Sequence, residues 1–280
     1  MDDSGYLVFA VNAEQRRQAT ALAYSLLART PEIPVSLCVP DVDALETEYE
    51  APFDQVIEYP YDKSEVARLN EWQAIYMTQY THNIVLDCAS IALGDMTNIW
   101  RYCTDNHDLC FVSAIKTFRD HTVETDLRQK NYEHNKIDPV YSNMYYFRKD
   151  SQIALDYFKL CDPYFREYTD LYDSVLAKHH IPETFDANLS ASISVTHLGI
   201  QNEVRPLHPD LFTFTDMVAC KQGFSRDTNW TEYLNTWPSA DGRIKIQNYN
   251  VNNLLYYQEA DFLTKDTFNE QQNYYRQQTQ

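Results

Sequence analysis

Short apolar runs alternate with amphipathic stretches along the N-terminal part of the chain. The run at 84–86 predicts a strand buried on both faces. Further strands are predicted at 6–11, 34–39, 55–58 and 109–114. Between them, residues 14–27, 64–79 and 96–103 repeat apolar side chains every three or four positions, which predicts helices. In the second helix we expect Ser64 as the N-cap and a buried stripe of Val66, Leu69, Trp72, Ile75 and Tyr76. The alternation predicts an α/β fold with a mostly parallel twisted sheet flanked by helices.

The second half of the chain follows this pattern less regularly. We expect a strand at 140–147, helices at 151–168 and 183–199, and a strand at 243–247. Beyond Pro206 the sequence is irregular and aromatic. The tail from Phe268 onward is rich in Gln, Asn and Tyr, so we expect it to fray or to pack late. The sequence shows no internal repeat and no linker, which predicts one compact domain with an irregular C-terminal part.

Composition and charge narrow the classes of function. The 280 residues are 44% hydrophobic, enough for a sizeable core, and carry 23 Lys and Arg against 41 Asp and Glu, a net charge of −18. Such a surface repels phosphate backbones, so duplex nucleic acid is an unfavourable partner. The five glycines form none of the Gly-rich loops of dehydrogenases or P-loop NTPases. Serine-hydrolase and zinc-protease motifs are also absent from the sequence.

The cysteines and the N-terminus bear on location. The six cysteines form no CxxC pair and no metal-ligand spacing with histidine. Cys38 and Cys110 lie within apolar runs as small hydrophobic residues, which favours a reducing compartment. The N-terminus lacks an apolar signal segment, and no window approaches the ~18 apolar residues of a membrane span. We therefore expect a cytoplasmic protein without a membrane partner.

Asp87 is the first candidate for chemistry, because it directly follows the apolar run 84–86. Ligands of open α/β sheets bind outside the carboxyl ends of the strands, so we expect Asp87 at the rim of a ligand crevice. The alternative interpretation is an ordinary aspartate that caps the turn after a strand. The local pattern by itself does not separate these two hypotheses.

Several strings of residues occur in a recognisable order over most of the chain. They lie at 6–12, 70–73 (Asn70-Glu71-Trp72-Gln73), 80–90, 140–149, 185–187 (Phe185-Asp186-Ala187), 229–231 and 243–246. Together they resemble the nucleotide-sugar glycosyltransferases of the GT-A fold, and more closely members encoded by tailed bacteriophages. The resemblance implies a GT-A-like, Rossmann-like domain at 1–265 and a polar tail at 266–280. Within the domain it implies a nucleotide-binding half, 1–114, and an acceptor half, 115–265.

In that family the strand that ends near position 87 carries an Asp-x-Asp or Glu-x-Asp motif. Its carboxylates hold Mn²⁺ or Mg²⁺ against the donor diphosphate. Here the motif reads Asp87-Cys88-Ala89, so the resemblance implies Asp87 as metal ligand and loses the second carboxylate. Two histidines typical of the family are also lost, one in the string Leu255-Tyr256-Tyr257 and one at Asp216.

Three hypotheses follow from these losses. The enzyme works without a tightly held metal, with Lys or Arg as the counter-charge of the diphosphate. Alternatively, Asp95 or Asp216 replaces the missing ligands. In the third hypothesis the chain retains binding and has lost transfer.

The resemblance also implies the remaining site residues. The nucleotide pocket is expected to contain Ala10, Val11, Asn12, Asn70, Asp87, Ala89 and Ser90. Asn70 fits a structural hydrogen bond equally well, because it follows the buried stripe residue Leu69. Candidate counter-charges are Arg148 and Lys221, with Lys149 and Lys245 as further ones. Residues 115–149 carry seven basic and five acidic residues, a run that otherwise fits a solvated loop.

Asp186 is the candidate on the acceptor side and, with Asp87, completes the expected catalytic pair. There it is expected to orient or deprotonate an acceptor hydroxyl. Its alternative role is to stabilise the N-terminus of the helix that follows it.

The implied function is transfer of a hexosyl or pentosyl group from a nucleotide-diphosphate sugar, with a UDP-sugar as the first choice, to an acceptor hydroxyl. A phage setting implies a hydroxymethylated base in phage DNA as acceptor and the host cytoplasm as location. A glycan or a small molecule stays open as acceptor. The alternative is a catalytically degenerate relative that binds a nucleotide sugar or a partner protein without turnover.

Overall fold

A computed structural model describes residues 3–43, 51–61, 63–123, 129–176, 181–217, 236–238, 242–257 and 265–279. The strands are β1 Ser4–Phe9, β2 Val35–Val39, β3 Gln55–Glu58, β4 His82–Asp87, β5 Ser90–Ala92, β6 Leu109–Val112, β7 Tyr141–Arg148, β8 Thr215–Asp216, β9 Thr236–Pro238, β10 Ile244–Ile246, β11 Tyr249–Val251 and β12 Leu254–Tyr256. The helices are α1 Ala13–Arg29, α2 Ala74–Met77, α3 Thr97–Asn106, α4 Gln129–Asn135, α5 Gln152–Arg166, α6 Tyr168–Val175, α7 Ala187–Leu198 and α8 Lys265–Gln278. Two 3₁₀ helices lie at Ala67–Gln73 and Pro209–Leu211.

The main sheet has six strands in the order β3-β2-β1-β4-β7-β6. Strands β1 to β4 run parallel to one another, whereas β7 is antiparallel to both β4 and β6. The predicted α/β class with a mostly parallel sheet flanked by helices is confirmed. β1 and β2 are buried along their whole length, as expected of strands covered on both faces.

A small second sheet brings the C-terminal part of the chain to the end of β4. Its order is β5-β12-β8, with Tyr256 of β12 facing Ser90 on one side and Asp216 on the other. β5 begins three residues after Asp87 and pairs with β12. β12 therefore lies directly beside the segment that follows Asp87. A single hydrophobic cluster includes Leu22 of α1, Trp100 of α3 and Leu255 of β12, so the two expected halves share one core.

Residues 64–79 differ from the single amphipathic helix that the periodicity predicts. The segment is the 3₁₀ helix Ala67–Gln73 followed by the short helix α2. A 3₁₀ helix aligns side chains three positions apart, but Val66 lies before its first residue and Tyr76 lies in α2. Trp72 is buried, whereas Val66 and Tyr76 of the predicted stripe are exposed. The Ser64 hydroxyl accepts a hydrogen bond from the Val66 amide at 3.1 Å and does not cap a helix.

Of the two outcomes expected for the C-terminal tail, the structure shows packing and not fraying. The polar segment forms α8, whose Tyr275 is fully buried. The Tyr275 hydroxyl donates to the Gly242 carbonyl at 2.7 Å, and the guanidinium of Arg29 lies 5.8 Å from the ring centroid. One buried aromatic side chain therefore anchors a helix that is otherwise rich in Gln and Asn.

The described cysteines behave as the sequence predicts. Cys38, Cys88, Cys103, Cys110 and Cys161 are free and buried, whereas Cys220 lies outside the described residues. Among the helices described above, none combines the length and apolar character needed to cross a bilayer.

Candidate functional site

Asp87 is the last residue of β4 and lies beside Phe9, the last residue of β1. Its side chain is 12% exposed. Oδ1 accepts a hydrogen bond from the Ala89 amide at 2.9 Å, as a turn-capping aspartate does. Oδ2 accepts one from Nη1 of Arg68 at 2.7 Å. The turn-capping interpretation is therefore correct for one carboxylate oxygen, while the other binds a cation of the chain.

Arg68 connects three elements through its guanidinium. Besides Asp87, Nη2 donates to the hydroxyl of Ser142 on β7 at 2.7 Å, and Nε lies 2.5 Å from Oε1 of Glu71. The 3₁₀ helix explains the Arg68–Glu71 contact, because residues three apart are stacked over each other in that geometry. Both side chains are shielded from water, with 17% of Arg68 and 5% of Glu71 exposed.

The connection continues from Ser142 to the start of α7. The amide and hydroxyl of Ser142 both donate to Oδ1 of Asn188, at 2.8 and 3.1 Å. Asn188 lies in the first turn of α7, whose N-cap is Asp186. Oδ1 of Asp186 accepts from the amides of Asn188 and Leu189 at 3.0 and 3.2 Å. The structure thus joins Asp87 and Asp186, which are distant in sequence, through side chains at one edge of the sheet.

Burial dominates the electrostatics of this cluster. Desolvation raises the pKa of Glu71 to about 8; Arg68 lowers it in part, and the Asp87 carboxylate raises it further. For Arg68, desolvation lowers the pKa, but the carboxylates of Glu71 and Asp87 outweigh it and raise the pKa. Arg68 therefore stays charged, and burial shifts the pKa of Glu71 upward towards neutral pH.

We expect Glu71 to make the stability of the protein fall as the pH rises. Its folded-state pKa of about 8 lies above the ordinary 4.5, so its contribution is fully present below 4.5 and is lost as the pH rises through 8. The free energy of unfolding in urea, measured across this interval, should fall more for the wild type than for Glu71→Gln. Glu203→Gln, which removes an exposed carboxylate, is the matched control. A difference between wild type and Glu71→Gln that does not change with pH would contradict the prediction.

The predicted pocket residues Ala10, Val11 and Asn12 lie at the same edge, directly after β1. The Ala10 amide donates to the Cys38 carbonyl at 3.0 Å. Asn12 is the N-cap of α1 and accepts from the Gln15 amide at 2.9 Å, while the Gln15 side chain accepts from the Val11 amide at 2.9 Å. These reciprocal bonds fix the loop between β1 and α1 beside Asp87. Nucleotide contacts from this loop stay a prediction.

Asn70 has the structural partners that the sequence left open as its alternative. Its Oδ1 accepts from the Ser64 amide at 2.9 Å, and its Nδ2 donates to the carbonyls of Ser64 and Val66 at 2.9 and 3.1 Å. Every polar position of the buried amide is used, so Asn70 holds the loop in front of Arg68. A direct nucleotide contact from Asn70 is not tested by these bonds and stays a prediction.

Ala89 and Ser90 lie between Asp87 and β12. The Ala89 carbonyl accepts from the Tyr257 amide at 3.0 Å. The Ser90 and Tyr257 hydroxyls are buried and have no hydrogen-bond partner within the described part of the chain. Buried hydroxyls are usually satisfied, so these two offer polar contacts beside Asp87.

Arg148 lies at the opposite edge of the sheet, contrary to its predicted place beside the diphosphate. β7 is antiparallel to β4 and pairs Arg148 with His82, five residues and about 17 Å from Asp87. There Arg148 binds Asp108 at 2.8 Å and Asp150 at 3.0 Å. It also lines a separate cavity of about 430 Å³.

Lys149 and Lys245 do not add to the cluster around Asp87. Lys149 lies next to Arg148 and donates to the Thr78 carbonyl, and Lys245 is exposed on β10. Lys221 lies outside the described residues.

The residues around Asp87 do not fit the predicted Mn²⁺ or Mg²⁺. A cation about 2.3 Å from Oδ2 would lie within about 5 Å of Nη1 of Arg68, since Nη1 is 2.7 Å from that oxygen. At an effective dielectric constant near 20, their repulsion is roughly 7 kcal/mol. Across 3–43, 51–61, 63–123, 129–176, 181–217, 236–238, 242–257 and 265–279, no group of three His, Cys, Asp or Glu is arranged to hold a metal.

The two predicted substitutes, Asp95 and Asp216, have the following places in the fold, and their role as metal ligands stays a prediction. Oδ1 of Asp95 accepts a hydrogen bond from the Thr97 amide at 2.8 Å. Asp216 is buried on β8, two strands away from Ser90, which corresponds to about 10 Å.

The comparisons with known proteins identify the fold. No family model and no curated protein matches the chain. Among solved structures, it is similar to the galactosyltransferase LgtC, determined with donor and acceptor sugar analogs, at a TM-score of 0.54 and 10% identity over 99% of this chain and 95% of that one. It is also similar to the glycosyltransferase GlyE of Streptococcus pneumoniae TIGR4, at a TM-score of 0.51 and 9% identity.

The chain therefore has the GT-A-type glycosyltransferase fold. Its match to GlyE covers 98% of this chain but only 60% of GlyE. At these identities the likeness shows the fold alone.

Arg68, Glu71, Ser142 and Asn188 are the site residues that sequence reasoning missed. The sequence did contain one signal for Arg68 and Glu71. Both lie beside buried positions of the segment predicted as an amphipathic helix, and charged side chains in such places need partners. The contacts of Ser142 depend on the pairing of β7 with β4, which no local pattern reveals.

Proposed function

We propose that this chain transfers a glycosyl group from a nucleotide-diphosphate sugar, first of all a UDP-sugar, to an acceptor hydroxyl. The observation that carries the proposal is the buried network that joins Asp87 at the end of β4 to the first turn of α7 through Arg68. It lies at the carboxyl edge of the parallel strands, where ligands of such sheets bind. LgtC, which shares the fold, was determined with donor and acceptor sugar analogs.

In this proposal the donor lies along the loop Ala10–Asn12, with its diphosphate towards Arg68 and Asp87. The acceptor hydroxyl lies at the N-terminus of α7, beside Asp186. The acceptor oxygen forms a bond to the anomeric carbon, and the bond from that carbon to the diphosphate oxygen breaks. The electron pair leaves with the nucleoside diphosphate, and the hydroxyl proton passes to Asp186. Oδ1 of Asp186 is used by the helix cap, so the proton goes to Oδ2.

For the acceptor we propose a hydroxymethylated base in phage DNA, which would place the enzyme in the host cytoplasm. The net charge of −18 disfavours tight binding of duplex DNA, so we expect single-stranded or nucleotide forms of the base to react better than the duplex. Glycosylated product, separated by chromatography after digestion, would identify this acceptor. A glycan or small-molecule acceptor is indicated if only those become glycosylated.

A panel of nucleotide sugars tests the proposed function. We expect one or more UDP-sugars to raise the melting temperature by binding the native state and to release UDP in the presence or absence of an acceptor. Sugars activated by GDP, ADP, CDP and dTDP are the comparison set. Stabilisation without any released nucleoside diphosphate would indicate the degenerate binding protein. A panel that neither stabilises the protein nor turns over would refute the proposal.

A further inference from the structure

The positive charge next to Asp87 belongs to the chain itself. We propose that Arg68 is the group that binds the donor diphosphate, and that this site works without a divalent cation. The inference deepens the proposed function and rests on it. The inference concerns which positively charged group binds the diphosphate, and not which sugar or acceptor the protein uses.

Both carboxylate oxygens of Asp87 already have partners. Nη1 of Arg68 occupies Oδ2 at 2.7 Å, and the Ala89 amide occupies Oδ1 at 2.9 Å. A hard divalent cation needs several oxygen ligands, of which carboxylates are the strongest. Here the cation would have to displace a guanidinium that is held in place from three sides.

Among the residues that the structure describes, those that follow Asp87 and those of β12 beside them offer no carboxylate or imidazole ligand. On the side of the small sheet, Asp87 is followed by Ala89 and Ser90, and β12 adds Tyr256 and Tyr257. A further carboxylate, that of Glu71, contacts the same guanidinium at 2.5 Å.

Arg68 is oriented as an anion-binding group. Its guanidinium has five N–H groups in one plane. Nη1 and Nη2 each donate one hydrogen bond, to Asp87 and Ser142, whereas Nε forms an ion pair with Glu71 without a hydrogen bond. Each Nη carries a second N–H, and 17% of the side chain is exposed. A guanidinium binds phosphate most strongly when two of its N–H groups contact two phosphate oxygens.

The surrounding contacts hold this group before any ligand arrives. Asp87 ends β4, Ser142 lies near the start of β7, and Glu71 is one 3₁₀ turn away. A fixed cation costs no reorganisation when negative charge grows on the departing diphosphate, which is where electrostatic stabilisation is most effective. Arg68 thus takes the role of counter-charge that the sequence analysis assigned to Arg148 and Lys221.

The test compares binding of UDP to the full-length protein in EDTA and in millimolar Mn²⁺, by calorimetry. We expect the two dissociation constants to agree within about twofold, and the electron paramagnetic resonance signal of free Mn²⁺ to stay unchanged when protein alone is added. Arg68→Gln should weaken UDP binding about tenfold or more and leave uridine binding, followed by ligand-observed NMR, unchanged. Arg101→Gln removes the same charge from an exposed position on α3 and serves as the matched control.

Arg68→Lys provides a second variant in case the glutamine variant does not fold. It keeps the buried charge but loses the planar pair of N–H groups, so UDP should bind several-fold more weakly with uridine unaffected. Mn²⁺ that tightens UDP binding tenfold in the wild type would overturn the inference and leave the proposed function standing. Unchanged UDP affinity in a folded Arg68 variant would do the same. Absence of binding by UDP, GDP, ADP, CDP and dTDP would instead refute the proposed function.

Discussion

Asp186→Asn is expected to lower the rate of glycosyl transfer by about 100-fold or more while leaving the protein as stable as the wild type. Asparagine caps a helix as well as aspartate does, because its side-chain oxygen accepts the same backbone hydrogen bonds. It cannot take a proton from the acceptor hydroxyl, and general-base catalysis contributes about 10² to 10⁴ in rate. Rates with the best donor of the panel, together with urea unfolding, measure both effects.

Two further variants separate catalysis from capping. Asp186→Ala should lose transfer to the same extent and also lose about 1 kcal/mol of stability, because the amides of Asn188 and Leu189 lose their acceptor. Asp170→Asn alters an exposed carboxylate in the first turn of α6 and should change neither quantity. If Asp186→Asn keeps transfer within about threefold, Asp186 is a helix cap and takes no proton.

Asp87→Ala is expected to destabilise the protein by about 3 kcal/mol, because it leaves the largely buried guanidinium of Arg68 without its partner on β4. The free energy of unfolding in urea measures this loss. UDP binding should weaken as well, since Arg68 loses the contact that orients it. The loss of stability comes from the broken interaction between Asp87 and Arg68, so we expect it only when Arg68 is present.

Asp108→Ala is the matched control for this change. It also removes an aspartate from an Asp–Arg pair, with Arg148 at 2.8 Å, but those side chains are 36% and 40% exposed compared with 12% and 17% for Asp87 and Arg68. Exposed pairs contribute about 1 kcal/mol or less, so the loss should be smaller. Adding Arg68→Met to Asp87→Ala should restore part of the lost stability, because the unpaired charge is then removed. A loss of equal size at both aspartates would contradict the role assigned to burial.

Local pattern was sufficient to predict most elements of the main sheet. The apolar runs predicted β1, β2, β4 and β6, which are largely buried, and the short run at 55–58 predicted the half-buried β3. Local pattern also placed Asp87 at the carboxyl edge of the main sheet, because the end of a strand can be recognised from neighbouring residues alone. The loop Ala10–Asn12 was placed beside it for the same reason.

Local pattern failed where geometry depends on distant partners. Periodicity could not distinguish the 3₁₀ helix Ala67–Gln73 from an α-helix, since tertiary contacts of Arg68 and Glu71 stabilise the tighter turn. The polar mean character of the tail left fraying and packing both open, although burial of Tyr275 is enough to dock α8.

The sequence by itself determined the α/β class, the position of Asp87 at a strand end and the absence of a second carboxylate at Ala89. Only the tertiary structure decided which cation meets Asp87. The antiparallel direction of β7 carries Arg148 to the far edge and brings Ser142 to the near one. Strand direction follows from long-range pairing, which local residue patterns do not encode, so the partnership of Arg68 with Asp87 became visible only in the folded chain.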